Sequence, residues 1–177
     1  MNTAENIHTL SDAAPSLEGM VSLCAPAMAD VNKVILEKMA SDVPLIPELA
    51  GHLIAAGGKR MRPMLTLMGA LAGTAEQNIP KDMPKNIPAS ALYLAAAVEF
   101  IHNATLLHDD VIDQSEKRRG RDTANSMWGN EASVLVGDFL FARAFELMVS
   151  TGDIEILRML SSASARITEG EVMQMSM

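Results

Sequence analysis

Cysteine is nearly absent from this sequence: one residue, Cys24, stands among 177. It has no partner for an internal disulfide, which excludes a disulfide scaffold and fits a reducing compartment. Aromatic residues reach only 3%, with a single Trp and a single Tyr. A β-sandwich or barrel is poorly served by that composition, because strands draw on aromatic and β-branched side chains. No proline follows Pro88, so long uninterrupted helices are open to the second half of the chain. No Lys or Arg precedes Lys33, which removes the basic start of a secretory signal and the arginines of a transit peptide. Uninterrupted apolar runs fall short of a membrane span as well. Glu99 breaks the best candidate, which starts at Ala89, and Asp138 breaks a later one, so no transmembrane segment is expected and the cytoplasm is the expected compartment. The formal net charge of −8 opposes general attraction to nucleic acid or to an anionic membrane.

What remains is 49% apolar and 20% charged, with 14 methionines, a globular balance rich in helix formers. The length suits one domain. Residues 1–18 read as a polar, flexible leader, and 19–177 as the folded part. Spacing and punctuation predict helices over 20–39, 47–56 and from 64 to 71, a surface connection over 73–88, and then three long helices over 89–113, 131–150 and 154 onward. Residues 114–130 read as a polar loop containing Gly120 and Gly129. The expected fold class is all-α, an antiparallel helix bundle. The last helix carries no C-terminal cap signal, so a bundle incomplete at its C-terminus is expected.

Charge is concentrated in three places. Lys59, Arg60 and Arg62 form one basic run, Lys117, Arg118, Arg119 and Arg121 another, and Asp109, Asp110, Asp113 and Glu116 lie just before the second. At about 100° per residue, His102, Leu106, Asp109 and Asp113 share one helix face. Asp109 and Asp113 are a like-charge i,i+4 pair, and carboxylates at a helix C-terminus oppose its dipole. A hard divalent cation would neutralise them, and Mg²⁺ is the natural candidate because it takes oxygen ligands and shares them with substrate phosphates. An all-oxygen set argues against zinc. The plain alternative is a solvated helix end paired with Lys117 and Arg118.

Gly57-Gly58-Lys59-Arg60-Met61-Arg62-Pro63 sets two glycines before three cations and a helix start, a pattern suited to close approach by a phosphate. It is not a P-loop. Arginine forks and a compact lysine charge suit diphosphate oxygens, and the second basic run starts four residues after Asp113, within reach of the same groove. His102 is the histidine placed to donate to a diphosphate. His52 reads as a surface or partly buried helix residue, His108 as structural, and Trp128 and Tyr93 as packing residues.

Taken in order, Gly57-Gly58-Lys59-Arg60-Met61-Arg62-Pro63, Leu106-Leu107-His108-Asp109-Asp110-Val111-Ile112-Asp113, Arg118-Arg119-Gly120, Asn125, Ala132-Ser133-Val134-Leu135-Val136-Gly137-Asp138 and Glu169-Gly170-Glu171-Val172-Met173-Gln174 resemble the head-to-tail trans-polyprenyl diphosphate synthases. The likeness runs from about Met28 onward and is nearest to the long-chain, octaprenyl or decaprenyl type. It implies a helix bundle around a deep cavity, and condensation of isopentenyl diphosphate with an allylic diphosphate into an all-trans polyprenyl diphosphate, a quinone side-chain precursor. By the same matching, Asp109, Asp110 and Asp113 hold Mg²⁺, Arg118 contacts the allylic diphosphate, and Lys59, Arg62, His102 and Arg119 hold the diphosphate of isopentenyl diphosphate. A homodimer that delivers its product to a membrane is also implied. The family's second aspartate-rich motif is not in these residues, so they are expected to be the N-terminal half of the domain and inactive alone. Two rivals are a metal-dependent phosphohydrolase built on His102, His108 and the aspartates, and a noncatalytic helical subunit of a synthase complex.

Overall fold

The structure is a computed structural model that describes residues 16–55, 60–75 and 87–176. Its elements are α1 (Leu17–Met39), α2 (Leu45–Ala55), α3 (Met61–Ala75), α4 (Ala89–Ile112), β1 (Lys117–Arg118), β2 (Arg121–Asp122), α5 (Ala124–Trp128), α6 (Asn130–Ser150) and α7 (Ile154–Met175). The expected all-α bundle is therefore found, with one two-residue-per-strand hairpin added.

Helix α1 opens on Ser16, whose Oγ accepts from the Gly19 N–H at 3.1 Å. That places its start inside the expected leader; residues 1–15 lie outside the described residues. Cys24, Val31, Ile35 and Met39 recur at helical spacing and are buried along one stripe. Helix α3 begins at Met61 rather than after Pro63 because Pro63 stands in its first turn, where the missing N–H has no helical partner to lose.

Helix α4 is the centre of the bundle and packs on α1, α3 and α6. Its Ala95, Ala96, Ala97 and Ala104 are fully buried, and such small side chains let neighbouring helices come close around Phe100 and Leu107. Helices α4 and α6 approach closely at Gly137, where an added Cβ would overlap the His108 imidazole. His108 Nε2 lies 3.2 Å from the Val134 carbonyl, in keeping with its structural reading. Nearby, buried Ser133 donates its hydroxyl to the Leu107 carbonyl at 3.0 Å. Both contacts fix the register of α6 against the end of α4 that carries the aspartates.

Helices α1 and α4 are long and apolar enough to cross a membrane by length and composition alone, but α4 is the core helix of this bundle. Helix α7 contrasts with α4: none of its residues is buried.

The stretch expected as a loop over 114–130 is instead the β1–β2 hairpin followed by α5. Arg119 and Gly120 take φ values of 53° and 80°, the left-handed pair that a two-residue hairpin turn requires. An Arg-Gly turn between strands of two residues each leaves little pattern to read.

Candidate functional site

A cavity of about 540 Å³ opens between α2, the start of α3, the second half of α4 and the hairpin. Arg62 and His102 line it together with Arg118 and Arg119, so residues more than fifty positions apart in the chain meet as the basic runs implied. Lys59, with Gly57 and Gly58, lies outside the described residues.

Burial lowers the His102 pKa to about 4, and the positive charges of Arg62, Arg119 and Arg118 add to the effect. The imidazole is therefore neutral at physiological pH, with one nitrogen to donate and one to accept. Its neighbours are cations, which argues against His102 as a metal ligand and so against a hydrolase centre built on it.

Arg60 lines the same cavity, but its guanidinium is engaged by Glu99 at 3.2 Å. Glu99 reads in the sequence only as an interruption of an apolar run. A lone carboxylate among buried alanines needs a cation, and that is the signal by which the Arg60–Glu99 pair could have been found.

Arg118 is oriented by Asp110. Its Nε donates to both carboxylate oxygens, at 3.0 and 3.2 Å, and its Nη2 to one of them at 2.8 Å. The hydrogen bonds and the charge of Asp110 hold the Arg118 pKa above its ordinary value. Asp110 is only 2% exposed, so both of its oxygens are committed to this ion pair. The sequence places Asp110 beside Asp109 and Asp113 as an expected metal ligand; in the structure its carboxylate is paired with Arg118. The hairpin base is tied to the same place. Thr123 donates its hydroxyl to the Ser115 carbonyl at 2.7 Å, and Asn125 Nδ2 donates to the carbonyls of Asp110 and Ser115, each at 3.2 Å. Asn125 Oδ1 is buried with no hydrogen-bond partner among the described residues.

Asp109 and Asp113 stand off the cavity lining, at the last turn of α4. Burial raises the Asp109 pKa, and the charges of Glu171 and Asp113 raise it further, against a smaller opposite effect of Arg118. Glu171, on α7, is a residue to which sequence reasoning gave no role, although it stands in a stretch that carries the family likeness. Among the described residues no three His, Cys, Asp or Glu side chains group tightly enough to enclose a metal by themselves. Asp109 and Asp113 offer only oxygen donors and repel one another, the donor chemistry that a hard divalent cation takes.

Comparison with known proteins gives a consistent result. Residues 43–177 match the family described as Polyprenyl synthetase. The octaprenyl diphosphate synthase of Escherichia coli K12 is 47% identical over 160 residues, which cover 90% of this chain and 46% of that protein. A decaprenyl diphosphate synthase structure from Rhodobacter capsulatus superposes with a TM-score of 0.78 at 51% identity, over 90% of this chain and 46% of that one. A polyprenyl synthase from Caulobacter crescentus, solved in complex with calcium and isoprenyl diphosphate, gives a TM-score of 0.78 at 52% identity, over 92% of this chain and 46% of that one. The chain thus spans about half the length of the curated relatives it matches.

Proposed function

The chain belongs to the polyprenyl synthetase family, and from that premise we propose that it supplies the first half of the active site of a long-chain prenyltransferase. The reaction joins isopentenyl diphosphate to an allylic diphosphate and yields an all-trans polyprenyl diphosphate. One observation carries this reading: Arg62, His102, Arg118 and Arg119 converge on a single cavity at the end of the helix that bears Asp109 and Asp113.

In this reading Arg62, Arg119 and neutral His102, with Lys59, hold the diphosphate of isopentenyl diphosphate. Arg118, aimed by Asp110, meets the allylic diphosphate. Asp109 and Asp113 are the residues that would hold Mg²⁺, which when bound neutralises diphosphate charge. The allylic C–O bond breaks, the isopentenyl double bond attacks the resulting cation, and a proton is lost. Arginines fixed before substrate arrives stabilise the departing diphosphate, because that is where negative charge develops. Exclusion of water by the apolar bundle protects the cation. The reading extends to residues 19–177 as the N-terminal part of one synthase domain, a cytoplasmic homodimer with no nucleic-acid partner, and delivery of the product to a membrane.

The test is made in the full-length enzyme. Asp109→Ala and Asp113→Ala are each expected to lower Mg²⁺-dependent incorporation of labelled isopentenyl diphosphate by about a hundredfold or more, with the helical circular dichroism retained. Near-normal turnover in either variant would overturn the assignment.

A further inference from the structure

The hairpin has strands of only two residues each. Its register sets Arg118 directly across from Arg121, and Arg119 adds a third cation at the turn in a left-handed conformation. An isolated two-stranded ribbon of this length is marginal by itself. Something outside the hairpin must hold it. On the α4 side that is Asp110. On the far side, His52 of α2 places Nε2 3.0 Å from the carbonyl of Asp122, the last residue of β2. A carbonyl only accepts, so Nε2 carries the proton and donates. The ring is steadied by Trp128 of α5, edge-on, with centroids 5.3 Å apart and planes at 74°. His52 lines the same cavity as Arg62, Arg118 and Arg119, so its contact with the hairpin is made at the wall of that cavity.

We propose that His52 is a positioning residue for the arginine hairpin, holding Arg119 at the spacing from Arg62 that one diphosphate needs, with Arg118 beside it for the other. The proposal rests on the diphosphate reading above for its purpose, and on the His52–Asp122 hydrogen bond for its mechanism. It accounts for a half-buried histidine on α2 that makes no ion pair among the described residues and yet lines the cavity.

Two measurements on the full-length protein test it. In His52→Leu, which keeps bulk and loses the donor, amide hydrogen exchange of residues 117–122 is expected to speed about three- to tenfold, the range of one neutral hydrogen bond, with exchange in α4 unchanged. Inorganic diphosphate, titrated by calorimetry, is expected to bind about three- to tenfold more weakly. In His52→Gln, whose amide can reach the same carbonyl, both values are expected to return to within about twofold of wild type. Wild-type exchange of the hairpin in His52→Leu would overturn the proposal, as would His52→Gln behaving like His52→Leu. If the wild-type protein fails to bind diphosphate at all, the functional reading falls, while the exchange data still decide whether His52 holds the hairpin.

Discussion

Asp109 and Asp110 are consecutive residues of α4, yet they belong to two regions that the fold treats in opposite ways. On the cavity side, both carboxylates are compensated from within: Asp110 is paired with Arg118, Glu99 with Arg60, and the hairpin is tied to α2 by His52. On the other side, Asp109 feels Asp113 and Glu171, and its carboxyl is pushed above the usual carboxylate range by burial and by their charges. Charges that the fold satisfies set geometry. Charges that it gathers and leaves in mutual repulsion are available to a ligand of opposite sign, at a standing cost to the free protein.

The sharpest way to break this comparison is to remove each of the two neighbouring carboxylates in turn. Asp110→Ala leaves Arg118 without its partner. Truncating one member of a buried pair costs about 3–5 kcal/mol, and since the Arg118 side chain is 35% exposed, water recovers part of that, so a loss of about 2–4 kcal/mol is expected. Asp109→Ala removes more repulsion than attraction, so in the absence of divalent cation the fold is expected to be unchanged or firmer by a few tenths of a kcal/mol. Urea unfolding of both variants checks the contrast. Equal destabilisation by the two would mean that the walls do not differ as described.

A second prediction separates the substrates within the basic wall. Arg62→Ala in the full-length enzyme is expected to raise KM for isopentenyl diphosphate by the equivalent of about 1.5–3 kcal/mol, the range for a charged hydrogen bond. The allylic substrate is expected to be much less affected, because in the proposed arrangement Arg118 and the aspartates, not Arg62, face it. Steady-state kinetics with each substrate varied would show the split, and equal effects on both would erase it.

The same contrast explains what could be read from the sequence. The helices of the second half were legible because periodicity without proline leaves few alternatives, and α4, α6 and α7 fall within a residue or two of their expected spans. The shared face of Asp109 and Asp113 follows from helical spacing alone. The partner of Asp110 does not, because its orientation depends on a hairpin whose strands are two residues long and whose turn uses an arginine in a left-handed conformation. Likewise the His52 contact joins residues 70 positions apart through a backbone carbonyl, which no side-chain pattern records. Glu171 approaches Asp109 across α7, a helix with no buried residue to announce where it docks. What was legible is local; what was missed depends on the packing of distant segments.

His102 offers the finest test, because it lies where the arginines are gathered and reports their field. Its pKa is about 4 in the folded state, lowered by burial and by Arg62, Arg119 and Arg118, against an ordinary value of 6.5. Between those two values the unfolded chain holds more protons on this group than the folded one. Lowering the pH from 6.5 toward 4 therefore stabilises the unfolded state, and the folding free energy is expected to fall through that window and to level below it. Solvent screening at a partly exposed ring keeps the change to about 1 kcal/mol. Other groups titrate in the same range, so the informative quantity is the difference between wild type and His102→Gln, which is expected to slope between pH 6.5 and 4 and to be flat above it. Bound diphosphate offsets the arginine charges that help to depress this pKa, so inorganic diphosphate is expected to move the His102 imidazole resonance upward in pH when followed by NMR titration. A midpoint near 6.5 in the free protein, or one indifferent to diphosphate, would show that the arginines do not act on His102 as a single cationic wall.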